Sequence, residues 1–86
     1  MDLEQRVKQV YAKHGYFTLA STHPYAVGDK VPPETWSDEW KGIFGQTVWR
    51  VIGPSSREER QQFADECGVP FLVTDYKYSY RIEAMD

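Results

Sequence analysis

The imidazole and thiol groups of the chain, which could act as nucleophile, general base or metal ligand, belong to His14, His23 and Cys67. The two histidines lie nine residues apart, and neither has a partner at the spacing that a zinc site needs. Cys67 follows Asp65 and Glu66 at the expected end of a helix, where the helix dipole and both carboxylates disfavour a thiolate. We therefore predict a structural cysteine and no metal site.

Adjacent acidic residues occur twice, as Asp38-Glu39 and as Glu58-Glu59. A general acid/base pair needs two carboxyl groups that converge, whereas neighbouring side chains point in different directions. Acidic residues in the first turn of a helix are explained by the helix dipole alone. The chain also lacks a glycine-rich phosphate loop. These patterns predict no catalytic residues and no cofactor.

Residues 76–84 form the clearest local pattern, because apolar or aromatic residues alternate with polar ones for nine positions. A period of two predicts a β-strand with two unlike faces. One face carries Tyr76, Tyr78 and Tyr80. The other face carries Lys77, Ser79, Arg81 and Glu83.

The tyrosine face has two interpretations. Inward-facing tyrosines would form a wall of the core, and each hydroxyl would need a hydrogen-bond partner at the margin of the sheet. Outward-facing tyrosines would form a platform for a protein partner or for stacked bases, with Lys77 and Arg81 placed to contact a phosphate backbone. The same strand at a sheet edge would also permit pairing with a strand of another molecule.

Trp36 and Trp40 form a second aromatic pair. A spacing of four places both rings on one face in a helix and equally in a strand. They either cover the end of a small core or anchor a partner, since tryptophan and tyrosine dominate interface hot spots. Pro32 and Pro33 precede the pair and favour a position near the surface. We therefore count both tryptophans as candidate partner-binding residues.

Composition sets limits on the class of protein. The chain has 86 residues, which predicts one small globular domain over 1–86. Aromatic residues make up 15%, and so small a core cannot enclose thirteen rings. The net charge is −3 and the basic residues form no block, which disfavours a nucleic-acid partner.

Local signals predict an α+β fold of two layers, with a mixed or antiparallel sheet of 4–5 strands, an N-terminal helix and a second helix near 56–67. Asp2 and Gln5 form a capping box for the first helix, and Gly15 ends it. A glycine-bracketed bend is expected at 42–45, a loop at 53–56, and a βαβ crossover over 46–74. The expected strands are 16–20, 25–31 with a turn at Gly28-Asp29, 46–52, 69–74 and 76–84, the last two being either separate or one continuous strand. The expected helices are 2–14 and 56–67, and 34–41 is expected to be a short helix or a turn.

A single cysteine excludes an internal disulfide and favours a reducing compartment. The N-terminus has no apolar segment of the kind found in signal peptides, and no run of residues approaches a membrane span. We expect a cytoplasmic protein without a membrane partner.

These observations favour a non-catalytic protein-interaction module, an accessory or inhibitor-type protein that uses exposed aromatic residues. The partner would be another protein, with self-association through an edge strand as one form of it. One alternative is single-stranded nucleic-acid binding through the tyrosine-rich C-terminal strand. A small enzyme is the third alternative, and it has the least support because no group of titratable residues is expected to converge.

Overall fold

A computed structural model describes residues 2–32, 35–36, 38–68 and 77–85. The chain forms three helices and four strands within these ranges, and the predicted α+β class is confirmed. The predicted strand over 69–74 lies outside the described residues, and so does the second half of the predicted crossover. The elements are α1 (Leu3–His14), β1 (Phe17–Ser21), β2 (Lys30–Val31), α2 (Asp38–Phe44), β3 (Trp49–Pro54), α3 (Arg57–Cys67) and β4 (Tyr78–Ala84).

Helix α1 begins and ends at the residues that the sequence indicates. The backbone N–H of Gln5 donates to Oδ1 of Asp2 at 2.9 Å, which satisfies one of the unpaired amides of the first turn. At the other end Gly15 has φ 81°, a left-handed conformation that a residue with a Cβ adopts only with strain. The buried face of α1 consists of Val7 and Val10.

Helix α3 repeats the same pair of signals. The hydroxyl of Ser56 accepts a hydrogen bond from the backbone N–H of Glu59 at 3.1 Å. Gly68 ends the helix with φ 73°. Phe63 and Cys67 are the buried residues of this helix, and the ring of Phe63 packs edge-on against Phe17 of β1 at 5.3 Å.

The four strands form one antiparallel sheet in the order β1-β4-β3-β2. The prediction that residues near 46–52 form an interior strand is correct in position, since β3 lies between β4 and β2. The bounds differ, because β3 begins at Trp49 and includes Gly53 and Pro54, which were expected in a loop. A register shift between Val51 and Gly53 allows β3 to continue this far along β4.

The expected bend at 42–45 is wrong for its first three residues. Gly42, Ile43 and Phe44 form the last turn of α2. Phe44 is only 2% exposed and packs against the rings of Phe17 and Trp49. The free energy gained by burying this large ring outweighs the weak helix propensity of one glycine. The sequence pattern did not show that Phe44 would be buried in the core.

The strand expected over 25–31 is reduced to Lys30–Val31. The preceding residues still follow β3, since the N–H of Gly28 donates to the carbonyl of Val51 and the N–H of Val51 donates to that of Asp29. The side chain of Asp29 accepts the N–H of Ala26, which forms a tight turn and ends regular pairing at this point.

Residues of α1, α2, α3 and all four strands meet in a single core cluster. Ile82 of β4 is fully buried, and Val51 of β3, its partner in the ladder, is 1% exposed. The buried apolar residues of the cluster are Val7, Val10, Phe17, Leu19, Val31, Phe44, Trp49, Val51, Phe63, Cys67 and Ile82.

Candidate interaction surface

The tyrosines of β4 that the structure describes lie on the core side of the sheet. Tyr80 pairs with Leu19 and Tyr78 with Ser21, and residues paired across antiparallel strands share a face. Leu19 is 4% exposed, whereas both tyrosines are only half-buried. Their rings stack with centroids 6.2 Å apart and planes 13° apart. Each tyrosine therefore packs against the fold and still presents part of its ring to solvent.

Tyr25 connects this tyrosine pair to the loop before β2. Its backbone N–H donates to the hydroxyl of Tyr80 at 2.8 Å, and the two rings meet edge to face at 5.7 Å. Its own hydroxyl forms a hydrogen bond with Oγ1 of Thr35 at 3.2 Å. The chain of contacts thus runs from β4 to the residue that precedes Trp36.

Trp36 and Trp40 meet on Phe44, the buried ring at the end of α2. Trp36 stacks on Phe44 at 4.5 Å with planes 17° apart, and Trp40 packs on it at 5.5 Å with planes 36° apart. Both tryptophans are half-buried. The two rings meet on Phe44 although Trp36 precedes α2, so a shared face of one element is not what brings them together. Trp49 lies deeper, and its indole N–H donates to the backbone carbonyl of Phe44 at 2.9 Å.

The two aromatic groups that the sequence singled out are therefore linked through Tyr25 and Thr35, and we call this set of rings the aromatic band. Sequence reasoning missed Tyr25, its middle member, because nothing in the order of residues near His23-Pro24 indicates a contact with β4. Tyr76, also predicted as a partner-binding residue, lies outside the described residues. The aromatic band consists of Tyr78, Tyr80, Tyr25, Trp36 and Trp40.

The two cations of the tyrosine strand have different surroundings. Lys77 is exposed and directly precedes β4. Arg81 binds the carboxylate of Glu59 with two hydrogen bonds, from Nε to Oε1 at 2.9 Å and from Nη2 to Oε2 at 2.8 Å. Its guanidinium also lies over the ring of Tyr16, 4.8 Å from the centroid. A phosphate at Arg81 would have to compete with this carboxylate.

Glu59 collects four donors in what we call the Glu59 cluster, which consists of Ser55, Glu59, Arg81 and Tyr16. The hydroxyls of Tyr16 and Ser55 donate to this carboxylate at 2.9 and 2.6 Å. Burial raises the pKa of Glu59, but the hydrogen bonds from Arg81, Ser55 and Tyr16 outweigh it, so the net pKa lies below the ordinary value. Burial and the bond to Glu59 raise the pKa of Tyr16. The charge of Arg81 balances that of Glu59, and both hydroxyls donate to the same carboxylate, as expected of a contact with a structural role.

The histidines take part in separate contacts. His14 packs against Phe63 with ring centroids 4.6 Å apart and planes 33° apart, and its Nε2 lies 2.9 Å from Oε2 of Glu66. Nζ of Lys13 donates to Oε1 of the same carboxylate at 2.7 Å. The hydrogen bonds from Lys13 and His14 lower the pKa of Glu66 and join α1 to α3. His23 is exposed at the other end of the sheet, against Tyr25.

Cys67 is buried and has no disulfide partner. Burial raises the pKa of its thiol, and the charge of Glu66 raises it further. Within the described part of the chain, no three residues of the types His, Cys, Asp and Glu are grouped closely enough to hold a metal ion. Of the acidic pairs, Glu59 forms the cluster above while Glu58 faces solvent.

Comparison of the chain with protein-family models, with curated proteins and with solved structures finds no match. Over the ranges that the structure covers, no helix has the length and apolar character needed to cross a membrane.

Proposed function

We propose that this chain is a non-catalytic protein-interaction module, of the accessory or inhibitor type, and that it binds its partner through the aromatic band. The observation that carries the proposal is the set of contacts that runs from Tyr78 through Tyr80 and Tyr25 to Thr35, the residue that precedes Trp36. It links two groups that are more than thirty residues apart in the chain.

The partial burial of the band suits binding. Each ring is held by the fold, so little side-chain entropy is lost on association, and each ring keeps area that a partner can cover. Tyrosine and tryptophan at such positions supply large contact areas and a polar group at the margin. The free, buried Cys67 suits action in the reducing cytoplasm.

The test compares capture of proteins from the native cell extract by variants of the band. Tyr78→Ala removes a ring whose described contact is the stack on Tyr80, and Trp40→Ala removes a ring that lies on Phe44. Val48→Ala is the matched control, because it trims a residue that is 53% exposed and does not belong to the band. Circular dichroism and thermal unfolding verify that each variant is folded.

The expected result is at least one protein that the wild type and Val48→Ala retain and that both band variants lose. The proposal is wrong if folded Tyr78→Ala and Trp40→Ala proteins capture the same set as the wild type. Size-exclusion chromatography with light scattering shows in the same samples whether the bound partner is a second copy of the chain.

A further inference from the structure

We infer that Tyr80 and Tyr25 are positioning residues for Trp36, and that their hydroxyls form a relay that couples the tyrosine end of the aromatic band to its tryptophan end. The relay consists of the hydroxyl of Tyr80, the backbone N–H and hydroxyl of Tyr25, and Oγ1 of Thr35. The inference rests on the proposed function for its consequence, which is that the two ends of the band are arranged together before a partner binds.

Tyr80 is the fixed end of the relay. Its backbone belongs to the interior strand β4, where it is paired with Leu19 of β1 on one side and with Pro54 of β3 on the other. Strands in the interior of a sheet are among the parts of a fold that open least. The hydroxyl of Tyr80 therefore offers a hydrogen-bond acceptor at a defined place.

Tyr25 anchors the connection between β1 and β2. Within residues 22–30, all of which the structure describes, every residue except Tyr25 is exposed. Its N–H donates to the hydroxyl of Tyr80 at 2.8 Å, and its ring meets that of Tyr80 edge to face with centroids 5.7 Å apart. One residue of β4 thus holds both the backbone and the side chain of Tyr25.

Thr35 is the last member of the relay, and it adjoins Trp36 in the chain. Its Oγ1 lies 3.2 Å from the hydroxyl of Tyr25, and its N–H donates to the carbonyl of Pro32 at 3.0 Å. Because the peptide unit is planar and rigid, holding Thr35 restricts where the Cα of Trp36 can lie. Thr35 and Tyr25 are both half-buried, so water competes only partly for their hydrogen bond.

The alternative is that Phe44 positions Trp36 without the relay. Phe44 is 2% exposed, and the indole of Trp36 stacks on it with centroids 4.5 Å apart. The two arrangements differ in one respect, because only the relay transmits a change at Tyr80 to Trp36. Loss of the Tyr80 hydroxyl leaves the N–H of Tyr25 without this acceptor, and the connection that carries Tyr25 is then less firmly held.

The experiment replaces the three tryptophans by fluorotryptophan and records the fluorine NMR spectrum of the folded protein without a partner. Substitution of each tryptophan by phenylalanine in turn assigns the signals. Tyr80→Phe and Tyr25→Phe each delete one hydroxyl of the relay and keep the ring, and circular dichroism verifies that both variants are folded. We expect each of them to shift or broaden the signal of Trp36, whose resonance depends on where the indole lies over the ring of Phe44.

Tyr78→Phe is the matched control for these spectra. It deletes a hydroxyl from the ring that stacks on Tyr80, on the same face of β4, and this hydroxyl is not a member of the relay. We expect the signal of Trp36 to keep its wild-type position in this variant.

A second measurement tests the coupling through urea unfolding of Tyr80→Phe, Thr35→Val and the double variant. Tyr80→Phe is expected to raise the unfolding equilibrium constant by about 2- to 12-fold, the equivalent of one hydrogen bond of about 0.5–1.5 kcal/mol. Thr35→Val should have a smaller effect, since a separation of 3.2 Å is long for two hydroxyls. Breaking one link of a relay already frees the next, so the double variant should fall below the product of the two single factors.

Tyr80→Phe combined with Val48→Ala is the control for additivity. Val48 directly precedes β3, whereas Tyr80 pairs with the last residue of that strand. The effects of these two substitutions should therefore multiply.

The inference is overturned if folded Tyr80→Phe and Tyr25→Phe proteins keep the wild-type signal of Trp36, if Tyr78→Phe shifts that signal equally, or if the double variant with Thr35→Val equals the product of its single factors. If Tyr80→Phe does not fold, Tyr25→Phe decides, because it leaves the bond between the hydroxyl of Tyr80 and the N–H of Tyr25 in place. Neither measurement needs a partner, so failure of the relay is distinguishable from failure of the proposed function, which is read from capture of a protein from extract.

Discussion

Arg81 and Glu59 join the central part of the sheet to the first turn of α3 through two parallel hydrogen bonds of 2.9 and 2.8 Å. The side chain of Glu59 is 16% exposed and that of Arg81 is 45% exposed. The contact therefore lies at the rim of the fold, where bidentate geometry rather than deep burial makes it effective. Tyr16 and Ser55 complete it with two further donors.

Glu59→Gln should destabilise the protein, because a neutral amide cannot accept four donors and leaves the guanidinium without its counter-charge. We expect the midpoint of thermal unfolding at pH 7 to fall by about 4–8 °C, the shift that a loss of about 1 kcal/mol gives in a domain of this size, because solvent screens the partly exposed Arg81. Glu58→Gln is the control, since this exposed carboxylate precedes Glu59 in the same turn. Equal midpoints for the two variants would show that the Glu59 cluster contributes nothing.

Acid should weaken the fold through Glu59 and Glu66. The pKa of each carboxyl is lowered in the folded protein from an ordinary value of 4.5, so at acid pH the unfolded chain binds more protons than the folded one. Their contribution is complete above that pH and is lost as the pH falls through the lowered values.

We expect the urea midpoint to stay level from pH 7 to about 5 and then to fall. The acid limb should be flatter in Glu59→Gln, which has no carboxyl to protonate at this position. Parallel acid limbs in the wild type and in Glu59→Gln would contradict the assignment, whatever the difference between them at pH 7.

Two glycines should respond to alanine with opposite signs. Gly42 is an exposed residue inside α2, and a Cβ there meets nothing within 4 Å, so Gly42→Ala should stabilise the protein by about 0.5–1 kcal/mol. Gly15 also has open space, but its φ of 81° strains any residue with a Cβ. Gly15→Ala should therefore cost about 1–2 kcal/mol. Urea unfolding of the pair tests the bounds of α2 and α1 together, and a destabilising Gly42→Ala would argue against a helix at that position.

Phe44→Ala should remove the support of the tryptophan end of the aromatic band. The ring is 2% exposed and touches Trp36, Trp40 and Trp49, and its loss should cost about 3–5 kcal/mol. A domain of this size has a total stability of about 4–13 kcal/mol, so a large part of that stability depends on one ring.

Circular dichroism and urea unfolding measure the loss, and Val48→Ala, at a residue that is 53% exposed, should change stability by less than about 0.5 kcal/mol. Phe44→Leu removes less volume and should stay folded with a lower urea midpoint. A Phe44→Ala protein as stable as Val48→Ala would show that the tryptophans do not depend on this ring.

The parts of the fold that could be predicted are those with signals inside one element. Asp2 and Gly15 mark the ends of α1, Ser56 and Gly68 mark those of α3, and alternation marks β4. Each signal is a local hydrogen bond or backbone preference that acts within a few residues. The short β2 and the last turn of α2 could not be predicted, because β2 depends on pairing with β3 and the last turn of α2 depends on burial of Phe44 in the core.

The candidate site was predictable in its residue types and not in its arrangement. Trp36, Trp40, Tyr78 and Tyr80 were singled out because large rings exceed the space of a small core, but nothing joined the tryptophans to the tyrosines. That connection is made by Tyr25, through a backbone N–H and a hydroxyl that reach residues distant in the chain. Contacts of this kind depend on where the loops pass, which composition and periodicity do not encode.

The amino-acid order by itself determined where α1 and α3 begin and end, which face of β4 is aromatic and how small the interior is, because these follow from steric, capping and size rules that act locally. Tertiary structure alone decided the strand order β1-β4-β3-β2, the ion pair of Arg81 with Glu59 and the link between the tyrosine group and the tryptophan group. Those outcomes require long-range packing, in which burial of rings such as Phe44 selects among arrangements that local preferences leave equal.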